Sequence, residues 1–119
     1  DARKFEEGSA SMMGIFAFGA AVDLLSDAGA HRIWEKIRVL HDHAIEGLLR
    51  KGYEILSPLE EGKRSGILTF GSRRHAPEKL FERLTEARVV AALRGGGIRI
   101  SPHFYNTVEE IDRMLEVLL

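Results

Sequence analysis

The sequence contains no cysteine. That excludes a disulfide framework, a thiolate metal site and a cysteine nucleophile. It has no excess of either charge: 17 basic against 18 acidic residues leave a formal net charge of −1. Such a balance argues against general binding to nucleic acid or to a membrane surface. No long hydrophobic run is present either. The longest, residues 12–21, is interrupted by glycine and is too short to span a bilayer. No signal-peptide pattern opens the chain, so a cytoplasmic setting is the expectation. No repeat, low-complexity tract or linker breaks the sequence. One domain over residues 1–119 is therefore expected, with 1–11 as an entry segment. A chain of this length buries roughly two thirds of its unfolded surface, enough for a core without covalent staples.

The hydrophobic pattern supplies the elements. Residues 12–26 read as a helix, with apolar side chains at Ile15, Phe16, Phe18, Val22, Leu24 and Leu25. A helix apolar nearly all round is expected to be largely buried. Gly29 is placed to stop it. A second helix is expected over 31–51, where Ile37, Leu40, Ala44 and Leu48 form one stripe and Gly52 stands at the left-handed cap. Residues 53–57 and 65–71 read as strands, and 78–87 as a helix opened by Pro77. Residues 89–93 and 98–101 flank Gly95-Gly96-Gly97 and read as a hairpin. Thr107 and Glu110 have capping-box spacing, opening a last helix to residue 119. This order predicts an α+β domain of two layers, a small and mostly antiparallel sheet with helices packed on one face.

The residue that stands out is Arg99. Ile98 and Ile100 point to one face of a strand and Arg99 to the other. A guanidinium held on a strand is a rigid fork matched to a carboxylate. The same pattern also fits an arginine with its head in water, and strand geometry alone leaves both readings open. Arg94 is a second cation at the other end of the turn. His103, beside Phe104 and Tyr105, either lines a pocket or is a satisfied structural histidine. The three glycines favour a plain hairpin turn over a phosphate cradle, since no lysine and no strand-to-helix context follow. His41 and His43 lie two apart on a helix, so they share no face, and no third ligand is evident. Arg73-Arg74-His75 reads as a solvated basic loop.

Several of these segments, in this order, resemble the C-terminal small domain of the class V aminotransferase family of pyridoxal-phosphate enzymes. The most specific is Arg99-Ile100-Ser101 followed by Tyr105-Asn106-Thr107 and Glu109-Glu110-Ile111-Asp112. Phe5-Glu6-Glu7-Gly8-Ser9, Arg64-Ser65-Gly66-Ile67 and Arg94-Gly95 add to it. The resemblance implies that Arg99 binds the α-carboxylate of an amino-acid substrate, with Arg94 at the edge of the same site; His103 is counted with them as a substrate-binding candidate from its place in the aromatic turn. It implies that Gly8 and Ser9 run near the phosphate of the cofactor, pyridoxal 5′-phosphate. Ala10 and Ser11 depart from the family's usual proline-asparagine. The Schiff-base lysine, the aspartate on the pyridine nitrogen and the ring-stacking residue belong to the family's large domain, which precedes this segment. The implied partners are that large domain, an amino-acid substrate and a second copy of the protein in a homodimer. The chain is then the tail end of a longer enzyme and not catalytic alone. The absence of cysteine and the short Arg94 loop point to the aminotransferase or epimerase-like branch and away from the desulfurases. The rival expectation is non-enzymatic: a free-standing interaction or assembly module descended from that domain, its residual apolar surface covered by self-association or a partner.

Overall fold

The structure is a computed structural model in which Gly8 and residues 11–119 are described. Helices α1 (Met12–Ala28) and α2 (Ala30–Arg50) come first. Strands β1 (Glu54–Ile55) and β2 (Leu68–Gly71), helix α3 (Pro77–Glu86), strands β3 (Ala92–Arg94) and β4 (Gly97–Ile100), and helix α4 (Val108–Val117) follow. Two compact units are distinguished, one reaching to Arg32 and the other Ile33–Leu119. No single described helix is long and apolar enough to cross a membrane.

In the first unit, Ser11 caps α1 by accepting from the Gly14 amide at 3.3 Å. Gly29, at φ 84°, ends it as expected. The burial expected of α1 is not found. None of its residues is buried, and Met13 is 86% exposed. The reason is architectural. Among the described residues of its own unit, only the first turn of α2 follows α1, so no second layer exists there to cover an all-round apolar surface.

The second unit holds the sheet, in the order β1-β2-β4-β3 with every pairing antiparallel. Leu68 faces Ile100 and Phe70 faces Ile98 across β2 and β4. These four side chains are buried and form one cluster with Leu40, Ala44 and Leu48 of α2, Leu80 and Leu84 of α3, and Ile111, Met114 and Leu115 of α4. The helices thus cover one face of the sheet, the α+β arrangement expected of the sequence. Burying a Leu, Ile or Phe side chain fully contributes about 1.5–3 kcal/mol, so this cluster is the main stabilising element. The other face of the sheet has no such cover among the second unit's own elements.

Polar contacts at helix ends hold the layers in register. Arg83 Nε of α3 donates to the Val117 carbonyl at 3.1 Å, and Arg113 of α4 donates to the Ala87 carbonyl at 3.1 Å. His43 of α2 pairs with Asp112 of α4 at 2.6 Å. Helix α4 opens on a complete capping box, Thr107 Oγ1 accepting from the Glu110 amide and Glu110 accepting from the Thr107 amide. Gly52, at φ 81°, stands past the end of α2, where the Tyr53 amide reaches back to the Leu48 carbonyl at 3.0 Å.

Two boundaries differ from expectation in a way that matters for the site. Only Gly95 and Gly96 form the turn, at φ 59° and 74°. Both central residues having positive φ is the signature of the primed two-residue turn, whose twist matches that of the flanking strands. Gly97 is therefore strand, and Arg94, its register partner, is strand as well. Residues 89–91 precede the pairing and 65–67 precede β2, so both strands start later than their β-branched residues suggest.

Candidate functional site

The site grows from β4. Ile98 and Ile100 are drawn into the core, and strand alternation turns Arg99 to the opposite face. Thr69 and Ala92 stand opposite Arg99 on the two neighbouring strands and share its face. Both are small, so the approach to the guanidinium is open. Arg94 and Gly97 are partners on that same face. Arg94 is then diagonal to Arg99, at about 7–8 Å by sheet geometry. The register thus brings together two of the arginines singled out in the sequence.

Arg99 is half-buried, and its guanidinium has no hydrogen bond or ion pair among the described residues. It lines a cleft of about 620 Å³ with Arg88, Ala92, Tyr105, Asn106 and Arg113. One carboxylate, Glu110, also borders this cleft, but it is already engaged. Its Oε2 accepts from Asn106 Nδ2 at 2.9 Å and from the Thr107 amide at 3.0 Å. Those bonds, that from Asn106 foremost, hold its carboxyl below the usual carboxylate range. The cleft therefore carries unneutralised positive charge. It contains no lysine, histidine or cysteine. Its chemistry is anion recognition by a planar fork; its hydroxyls, those of Ser101 and Tyr105, have no histidine or lysine in the lining to activate them.

His103 lies apart from the cleft lining. Its ring stacks on Tyr105 at 5.1 Å and meets Phe104 edge-on at 4.9 Å. Its amide donates to Asn106 Oδ1 at 2.8 Å, and the Asn106 amide donates back to its carbonyl at 2.9 Å. The turn is thereby clamped onto the capping box of α4. His103 Nδ1 is buried with no hydrogen-bond partner. Gly8, at φ 151°, is exposed, and a Cβ added there would meet nothing within 4 Å. Ser9 lies outside the described residues. Among the described residues no group of three histidine or acidic side chains is placed to hold a metal ion.

Sequence reasoning missed Thr69 and Leu56. Thr69 needed the β2–β4 register, which hydrophobic pattern alone does not give. Leu56 depends on a bulge: the amides of Leu56 and Ser57 both donate to the Thr69 carbonyl, at 2.8 and 3.2 Å, and Ser57 Oγ accepts from the Thr69 amide at 2.8 Å. No residue type marks that bulge in advance.

The class-V aminotransferase family profile matches residues 1–114. The chain belongs to the class-V aminotransferase family. Over 115 residues it is 28% identical to an uncharacterized aminotransferase, YcbU, of Bacillus subtilis, a match covering 97% of this chain and 30% of that protein. It is 26% identical over 124 residues to a probable cysteine desulfurase of Pseudomonas putida, covering 96% of this chain and 31% of the relative. Among solved structures, an apo cysteine desulfurase from Thermococcus onnurineus superposes with a TM-score of 0.87 at 22% identity. That match covers 95% of this chain and 32% of the other, and shows a shared fold. The chain spans about a third of the length of these relatives. Class V aminotransferases depend on pyridoxal phosphate. The residues described in this chain do not assemble a site for that group. Lys51 donates to the Leu118 carbonyl, Lys63 pairs with Glu60, and none of the strand residues that share the Arg99 face is a lysine.

Proposed function

We propose that this class-V aminotransferase segment supplies substrate recognition to a pyridoxal-phosphate enzyme acting on an amino acid. Arg99 binds the α-carboxylate through a two-point fork, and Arg94, on the same sheet face, adds attraction from the rim. The observation that carries this reading is the state of Arg99: a strand-borne, half-buried guanidinium, bordered by small residues and lacking a partner among the described residues. Leaving a partly desolvated cation unpaired is costly unless an anion arrives to pair with it. Pyridoxal phosphate, when bound, acts as an electron sink for bonds at the substrate's α-carbon. In this reading the remaining two thirds of a full-length enzyme hold it, and the active assembly is a homodimer. Within the chain, Arg99 fixes where the α-carbon sits and Thr69 and Ala92 leave room for it. The relatives give no support to a free-standing assembly module.

The test is kinetic, in the full-length protein. Arg99→Ala is expected to lower kcat/KM for every amino-acid substrate by about 2–5 kcal/mol, chiefly through KM. Arg99→Lys is expected to recover little of it, because a point charge cannot make the bidentate contact. Unchanged KM in both variants would refute the carboxylate assignment.

A further inference from the structure

Leu56 is an exposed hydrophobic side chain in a place built to hold it. It is 48% accessible, yet it is not loose. The bulge opposite Thr69 fixes its backbone through two amide bonds to one carbonyl. Its side chain lies across two glycines. A Cβ on Gly71 would stand 3.3 Å from Leu56 Cδ1, and one on Gly97 would stand 2.9 Å from it. Gly71 and Gly97 lie on the same sheet face as Thr69, Arg94 and Arg99, two residues along their strands from Thr69 and Arg99. Two missing side chains therefore make the seat, and the seat lies on the Arg99 face.

Spacing gives this arrangement a role. Gly97 is two residues from Arg99, about 6.6 Å along the strand. In an amino acid, the side chain departs one bond from the carbon bearing the carboxylate. A ligand whose carboxylate sits on Arg99 can therefore lay its side chain toward the Leu56 methyls. The surroundings suit an apolar group. The surface there is leucine methyl over glycine backbone, and Glu54, the register partner of Gly71, is already paired with Arg73. We infer that Leu56 is a specificity-determining residue: an apolar plate that selects amino acids with aliphatic side chains. The inference rests on the carboxylate reading of Arg99 and adds the class of substrate to it.

The experiment compares glycine, norvaline and aspartate as substrates of the full-length protein, in the wild type and in Leu56→Ala, Leu56→Met, Leu56→Lys and Arg99→Lys. Leu56→Ala is expected to lower kcat/KM for norvaline by about 10-fold, the low end of what lost methylene contacts cost, because the plate is half open to solvent. For glycine, which has nothing to lay on the plate, the change is expected to stay within about 2-fold. Leu56→Met keeps the apolar surface and is expected to retain the wild-type order of preference. Leu56→Lys is expected to move the ratio of aspartate to norvaline in favour of aspartate. An equal loss for all three substrates, or no loss for any, overturns the inference. Urea midpoints of the variants show whether the seat has been disturbed, and if Leu56→Ala fails to fold, Leu56→Met and Leu56→Lys decide the question. The Arg99→Lys arm stands separately. A loss for all three substrates upholds the carboxylate reading whatever Leu56 does. A flat response there with selective loss at Leu56 refutes the clamp and, with it, the geometry from which the plate was inferred.

Discussion

Gly47 on α2 sets the distance between α2 and α4, and replacing it with alanine pits two effects of known size against each other. In a helix interior, glycine is about 1 kcal/mol worse than alanine, so Gly47→Ala would stabilise an isolated α2 by that amount. In the folded chain the added methyl meets Leu115. Its Cβ would clash with Leu115 Cδ1 and stand 3.0 Å from Cδ2 and 3.2 Å from Cγ. All three contacts belong to one side chain, which is only 7% exposed and packed within the core cluster. Leu115 cannot swing clear without displacing its neighbours, and overpacking of this kind costs about 1–3 kcal/mol. The methyl buries no new void, so the clash is expected to cancel or outweigh the propensity gain, leaving the variant about 0–2 kcal/mol less stable. Urea unfolding followed by far-ultraviolet circular dichroism reads the difference as a lower midpoint at unchanged slope. A double-mutant cycle isolates the cause. Leu115→Ala alone is expected to cost about 2–5 kcal/mol. In that background Gly47→Ala should become neutral or stabilising, a coupling of about 1–3 kcal/mol. Stabilisation by the full propensity term in the wild-type background would refute the packing argument.

Other perturbations test other parts. Gly97→Ala would drive a methyl into the Phe70 carbonyl, a backbone group that cannot rotate away; a loss of about 3 kcal/mol or more is expected in the same urea assay. Thr107→Ala removes one half of the α4 capping box and is expected to cost about 1 kcal/mol, whereas Thr107→Ser should retain most of it. His41 is 2% exposed, and its pKa is lowered, first by burial and then by Arg64. A depressed histidine pKa means that the unfolded chain binds the proton more readily. The contribution is therefore complete above the unfolded value of about 6.5 and is lost as pH falls below it. The unfolding free energy of the wild type should decline through that window, and a His41→Gln variant should show a shallower decline.

Much of the architecture was legible because local signals agreed with it. The stripe of α2, the Pro77 start and the Thr107 cap all act over a few residues, and each lies where the pattern put it, while the glycine turn is in place but gives Gly97 to the strand. The fate of α1 was not legible, because an all-round apolar pattern reports the need for cover and not its provider. Strand ends were also misplaced. Val89 and Val90 favour extended backbone, but pairing begins only at Ala92, where β4 supplies a partner. At the site, Arg99 was legible from alternation on a single strand. Its neighbours were not, since Thr69 and the Leu56 bulge depend on which residue of one strand faces which residue of another.

The strand order also bears on when the Arg99 face comes into being. The β3–β4 hairpin closes through a two-residue turn and can form on its own timescale of microseconds. The β2–β4 pair joins segments separated by all of α3, so it must wait for a long loop to close. Thr69 therefore reaches Arg99 only as the whole layer condenses. Once formed, β4 has a partner on each side and the helices beneath it. Its amides should exchange with solvent only through opening that approaches global unfolding, while those of edge strand β3 exchange sooner. The arginine thus stands on a strand that pairs early, in a face completed late, and on one of the last parts of the sheet to let go.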